Sequence, residues 1–218
     1  MAGADDPTLD EMRIALAPRI ATAAVFDGWS DTALVSAAAA AGVDPAVARL
    51  AYPGGSMDMI AGWIGWVDAR MAESFKPEVL AQMPVRERIR ALVWFRLEAV
   101  AGLEEALRRA LAIEAMPQNL ARTARLGWSS ADAIWRLAGD TATDYNHYTK
   151  RAILASLYAA TLAVFVGDES EDKAETRAFL DRRIEGVMKF EKAKARLLRD
   201  RDRFDVMRFF GRLRYPAR

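Results

Sequence analysis

Cysteine is absent from the 218-residue chain. That excludes disulfides, thiol nucleophiles and cysteine-ligated zinc, and it fits a reducing compartment. Histidine occurs once, at His147, so a site built from several histidines is excluded. The sequence has no Glu-x-x-His pair, nucleophile elbow, P-loop or Gly-x-Gly-x-x-Gly fingerprint. No segment alternates like a strand. No uninterrupted apolar run reaches the roughly 18 residues of a membrane span, and Ala152–Val166 is expected to be too short for one. The N-terminal stretch is acidic (Asp5, Asp6, Asp10, Glu11), unlike the basic start of a secretory signal. An excess of one charge sign is also lacking, with 31 Lys/Arg against 30 Asp/Glu.

What is present is apolar and helical. Hydrophobic residues make up 52% of the chain, enough to fill the core of one domain or of a domain with a small appendage. The balanced charge hides an asymmetry. From Lys189 onward there are 11 Lys/Arg and 4 Asp/Glu, which leaves 20 and 26 in the residues before it. A mildly acidic body thus carries a basic tail suited to phosphate-bearing partners.

Periodicity and cap residues place helices at 9–26, 31–41, 45–50, 56–75, 85–101, 103–116, 128–137, 144–166 and 172–198. Three units are expected: 9–75, 84–188 and a tail at 189–218. Ser30 or Asp31 can cap the second helix, and Ser56 the fourth. In the front unit, Gly42-Val43-Asp44 turns the chain and Pro45 opens a short helix. This pattern resembles the DNA-binding half of TetR-type repressors, in which the short helix enters the major groove. Here that helix offers only Arg49, amid Asp27, Asp31, Asp44, Asp58 and Asp68. Such a surface repels phosphate, so nucleic-acid binding is not expected.

The rear unit is oilier than a thin bundle requires. Val85, Ile89, Leu92, Val93, Arg96, Leu97 and Val100 include a strong apolar stripe at helical spacing. Leu92, Phe95, Ile134, Leu137, Leu157, Tyr158, Thr161 and Leu162 are candidate lining for a cavity that takes a flexible apolar chain. Ala155, Ala159, Ala160 and Ala163 remove bulk, which suits either a channel or close helix packing. Gly139 breaks one helix, and Asp140, Thr141, Thr143 and Asp144 are cap or turn types before the next. Asp144, Tyr145, His147, Tyr148 and Arg151 form a polar-aromatic collar there, read as a recognition surface. His147 and Asp144 can share a helix face, but no metal site or catalytic set is expected from them. In the tail, Arg196, Leu197, Phe204, Met207, Phe209 and Phe210 mix cations with apolar wedges, a pattern suited to an anionic membrane surface.

Ala138-Gly139-Asp140, Thr143-Asp144 and Tyr148-Thr149-Lys150-Arg151, together with Met116-Pro117-Gln118-Asn119 and Phe179-Leu180-Asp181-Arg182-Arg183, resemble the ubiquinone-biosynthesis accessory family called Coq-nine. The similarity runs from about residue 12 to 190. It implies an all-α, TetR-like bundle with an N-terminal helix-turn-helix and a C-terminal amphipathic helix. It implies a homodimeric, non-catalytic protein without a cofactor, binding isoprenoid quinone intermediates or phospholipid at a membrane surface. The implied partner is the di-iron demethoxyubiquinone hydroxylase. The family's partner patch has a Trp-Tyr pair where this chain has His147 and Tyr148. The expected location is cytoplasmic, at the inner face of the membrane. The alternative is a ligand-responsive TetR-type repressor. A third reading keeps the lipid and drops the hydroxylase.

Overall fold

A computed structural model describes residues 7–141 and 145–203, with side chains for 7–141 and 147–189. Ten α-helices lie among the described residues: α1 (Leu9–Asp27), α2 (Asp31–Ala41), α3 (Pro45–Ala51), α4 (Ser56–Ser74), α5 (Pro77–Ala81), α6 (Val85–Glu98), α7 (Glu104–Glu114), α8 (Leu120–Leu137), α9 (Tyr145–Gly167) and α10 (Ala174–Arg203). No strand occurs among them. The all-helical bundle expected from periodicity is the fold observed.

Local chemistry sets most boundaries. Thr8 and Glu11 form a reciprocal capping box at the start of α1. Ser30 caps α2 through the Ala33 N–H, and Asp44 caps α3 through the Ala46 N–H. Gly42 ends α2 at φ 69°, with Val43 N–H donating to Ala38 O and Gly42 N–H to Ala39 O. Gly139 ends α8 at φ 85°, with Asp140 N–H to Trp135 O and Gly139 N–H to Arg136 O. Both are Schellman closures, which need a left-handed residue. A β-carbon at Gly139 would also come within 3.2 Å of an Arg88 guanidinium nitrogen.

Several expectations are corrected. Ser56 does not cap α4; its hydroxyl donates to Trp29 O at 2.5 Å, while Asp58 accepts from the Gly54 N–H. Helix α5 was not anticipated, because five residues are too few to show a period. Helix α8 begins at Leu120 and not near Trp128. Helix α9 lies close to the expected 144–166, but its stretch His147–Gly167 is long and apolar enough to cross a membrane, which Ala152–Val166 was expected to be too short to do. In this fold Leu154, Leu157, Thr161 and Phe165 of that helix are buried in the bundle.

The expected break near residues 75–84 does not interrupt the core. One apolar cluster joins Leu16, Ile20, Trp29, Ile60 and Trp63 of the front to Leu97, Val100, Leu107 and Phe165 of the rear. The Trp29 indole is buried and donates to Ala106 O of α7 at 2.9 Å. Helices α1 and α4 approach closely at the glycines of α4: a β-carbon at Gly65 would meet Ile14 of α1 at 3.2 Å. At Gly62 of α4, a β-carbon would meet Arg13 at 3.1 Å and Tyr52 at 3.2 Å. A second cluster joins Met71, Leu80, Ile89 and Leu92 to Ile134, Leu154 and Leu180.

Candidate lipid site and docking face

A cavity of about 250 Å³ lies between α4, α6, α7, α8 and α9. Its wall is mostly apolar: Ile60, Trp63, Ile64 and Val67 from α4, Leu107, Ala110 and Leu111 from α7, Leu126 from α8, and Tyr158 and Leu162 from α9. Gly127 lines it too, and a β-carbon there would meet nothing within 4 Å.

Of the eight residues expected to line a cavity, Tyr158 and Leu162 do so here. Leu157 lines a second apolar cavity of about 280 Å³, with Ile89, Trp135, Leu154, Ile184 and Val187. The others stand elsewhere. Leu92, Ile134 and Thr161 are fully buried, and the Thr161 hydroxyl is satisfied by Leu157 O at 2.8 Å. Phe95 meets Phe75 edge-on at 5.6 Å, and Leu137 packs on the second cluster. Periodicity finds inward positions but cannot tell which of them face a void.

The cavity wall carries a small polar group that the sequence reading passed over. Arg96 is buried; its Nη1 donates to Asp68 and its Nη2 to Ser130 Oγ at 3.0 Å. Its guanidinium carbon lies 4.9 Å from the centre of the Tyr158 ring. Arg96 Nε and Trp63 Nε1 are buried without a hydrogen-bond partner among the described residues. Burial pushes the Glu114 carboxyl up to about 7. Burial also raises the Asp68 carboxyl, despite the opposing pull of Arg96. An arginine in an apolar stripe was the one sequence sign of this group.

At the junction of α8 and α9 the collar divides in two. Arg151 was expected at a partner surface, but its side chain is only 2% exposed. Its Nε donates to Asp132 at 2.5 Å, and its Nη1 to Asp140 at 3.1 Å and His147 O at 3.1 Å. Lys150 Nζ donates to Asp140 at 2.7 Å. Burial would raise the Asp140 carboxyl, but Lys150 and Arg151 together hold it below the usual range. Arg151 is therefore a strut inside the junction, and a contact role for it is withdrawn. Tyr148 is exposed and His147 half-buried, their rings 5.2 Å apart. Trp128 of α8 joins them, 5.9 Å from Tyr148 and 6.4 Å from His147. Sequence reasoning missed Trp128 because 19 positions separate it from His147.

Asp144 and the side chain of Tyr145 lie outside the described residues. So do Phe204, Met207, Phe209 and Phe210, and the side chains of Arg196 and Leu197 on α10.

At the front, α2 and α3 meet at 118°, within the range of a helix-turn-helix. Arg49 is bound to Asp31 by two hydrogen bonds, of 2.8 and 2.7 Å.

Comparison with known proteins agrees with this architecture. The structure of a TetR transcriptional regulator from Nitrosomonas europaea superposes with a TM-score of 0.63 at 21% identity, covering 80% of this chain and 96% of that one. The fold is therefore TetR-like. The family model for COQ9 matches residues 120–191. The rat ubiquinone biosynthesis protein COQ9 is 34% identical over 181 residues, which is 78% of this chain and 58% of the rat protein. The human protein is 32% identical over the same share of this chain. The fission-yeast protein is 28% identical over 159 residues. The chain spans a little over half the length of these relatives.

One expectation falls here. The vertebrate, slime-mould and fission-yeast relatives are all named as mitochondrial. The cytoplasmic placement is corrected on that ground; missing cysteines and an acidic first turn do not encode an address. These sequence matches assign the chain: it belongs to the COQ9 family.

Proposed function

We propose that the protein is a non-catalytic lipid-binding accessory protein of ubiquinone biosynthesis. It accepts the chain of an isoprenoid quinone intermediate between its rear helices and presents the ring to the di-iron demethoxyubiquinone hydroxylase. The observation that carries this reading is the apolar cavity of about 250 Å³ walled by α4, α6, α7, α8 and α9. Burying an alkyl chain there is favourable by roughly 0.8 kcal/mol per CH₂.

The docking face in this proposal is the aromatic trio Trp128, His147 and Tyr148. Where the resemblance implies an indole at position 147, this chain has histidine, and Trp128 supplies an indole from the neighbouring helix. Aromatic anchors of this kind carry much of the energy of protein interfaces. Homodimerisation would use the outer face of α9, where the exposed small residues Ala152, Ser156, Ala159 and Ala163 admit a close helix neighbour. The basic tail from Lys189 would hold the protein at an anionic membrane surface.

The repressor alternative has little support. The single arginine of α3 is occupied by Asp31, and phosphate neutralisation needs several free cations.

Mass analysis of lipid co-purifying with the intact protein tests the proposal. A quinone or isoprenoid lipid in stoichiometric amount is expected. Its consistent absence, with no uptake when supplied, would overturn the carrier reading. Lipid retained without hydroxylase association would leave a carrier with a different recipient.

A further inference from the structure

The cavity of about 250 Å³ reaches the surface beside the turn from α7 to α8, which the Met116-Pro117-Gln118-Asn119 motif forms. Leu120 lines the cavity and is also 54% exposed, so it stands at the lip. Met116, on the other side of Pro117, is 43% exposed. The turn beneath them is braced by its own polar groups. Asn119 Nδ2 donates to Ile113 O at 2.8 Å, and Thr123 Oγ1 donates to Glu114 O at 2.9 Å. These bonds satisfy carbonyls left over at the end of α7. Met116 is held extended before Pro117, at φ −65° and ψ 138°. Two apolar side chains thus project from a fixed turn at the mouth of an oily cavity, where contact with a second apolar phase would remove them from water.

Charge selects that phase. Between Glu114 and Asp132 the sequence has no acidic residue, although the residues before Lys189 carry 26. Arg122 and Arg125 lie in this stretch. Arg122 is paired with Asp58, whereas Arg125 is exposed and makes no ion pair among the described residues. Glu114, just inside the lip, has its carboxyl pushed up to about 7 by burial, which weakens the one negative charge there near neutral pH. An apolar wedge beside a free arginine, with acid kept away, fits the boundary of an anionic bilayer.

We infer that the α7–α8 turn is a lipid portal: Met116 and Leu120 dip into an anionic bilayer, and the guest passes over Leu120 into the cavity without crossing water. The inference rests on the lipid-carrier reading and adds the route of entry. It also gives the body of the protein a membrane contact of its own, apart from the basic tail.

The lack of cysteine allows single labels in the full chain. Met116→Cys and Leu120→Cys, each carrying nitrobenzoxadiazole, are mixed with vesicles of phosphatidylcholine and phosphatidylglycerol. Glu73→Cys, exposed on α4, is the control. Both turn labels are expected to shift to the blue and to be quenched by lipids spin-labelled in the acyl chain; the control label should do neither. Uptake of geranylgeraniol is then timed from the same vesicles and from cyclodextrin. Met116→Ser should slow uptake from vesicles about 5-fold, through the lost burial of one apolar side chain, and leave uptake from cyclodextrin unchanged. Val79→Ser, a similarly exposed change off the cavity wall, should alter neither rate. Turn labels that stay in water, or a Met116→Ser protein as fast as the parent, would overturn the portal and leave the carrier reading standing. A control label that moves as far as the turn labels would overturn the assignment to this turn. No uptake from either donor would overturn the carrier reading and the portal with it, whatever the labels do.

Discussion

Arg49 reaches back across the helix-turn-helix to Asp31, its Nε and Nη2 at 2.8 and 2.7 Å from the two carboxylate oxygens. The hydrogen bonds lower the Asp31 carboxyl and raise the Arg49 guanidinium, so each keeps the other charged. The residue that would grip a phosphate is thereby facing its own scaffold. Arg49→Ala is expected to leave duplex retention at low salt unchanged and close to background. The melting temperature should barely move, because exposed ion pairs add little. Salt-sensitive, sequence-selective binding that vanishes in this variant would revive the repressor reading.

Gly127 lies in the middle of α8 and on the cavity wall, with open space where a β-carbon would go. Glycine in a helix interior costs about 1 kcal/mol relative to alanine. Gly127→Ala should therefore stabilise the protein by about that amount in a denaturant titration. Gly127→Phe would project a ring into the void and should reduce co-purifying lipid severalfold in a protein that still folds. Unchanged lipid content in the phenylalanine variant would move the guest to another cavity.

Arg151 and Tyr148 sit three positions apart and should behave oppositely. Arg151→Met leaves Asp132 and Asp140 without their shared cation inside the junction. Asp132 keeps Arg136 and Asp140 keeps Lys150, so a loss of about 1–3 kcal/mol is expected from removing the hydrogen bonds of the buried guanidinium. Tyr148→Ala removes an exposed ring and should change stability by less than about 0.5 kcal/mol. Under the docking proposal it should nonetheless weaken hydroxylase capture at least about 10-fold, as should Trp128→Ala. Capture that is indifferent to both aromatic variants would sink the docking face.

Glu114 gives the fold a pH dependence of defined sign. Its carboxyl is pushed from the ordinary 4.5 to about 7 by burial. Between those values the folded chain holds a proton that the unfolded chain has released, so stability falls as pH rises through the window. Glu114→Gln should flatten that slope, seen by comparing denaturation midpoints at pH 5 and pH 8. An unaltered slope would place the proton elsewhere.

Much of the fold was legible in the sequence because its punctuation is chemical. Ser30, Gly42, Asp44 with Pro45, and Gly139 mark helix ends through bonds each makes with its own neighbours. The site was less legible. Leu92 and Tyr158 have the same helical signature, yet one is enclosed by core and the other borders a void; only packing across helices decides that. Arg151 looked like surface because charge usually is, and its two carboxylate partners lie 19 and 11 positions away. Trp128 was read as the start of a helix and proved to be a neighbour of Tyr148. Arg96 was visible in its stripe, but its unpaired Nε–H is a property of three dimensions.

The shared core gives the front helices a use apart from any duplex. Ile60, Trp63, Ile64 and Val67 of α4 form one side of the chamber, and Trp29 fastens the same block to α7. A chain cut back to its rear helices would have a room with a missing wall. The helix-turn-helix is thus held in place as masonry of that room.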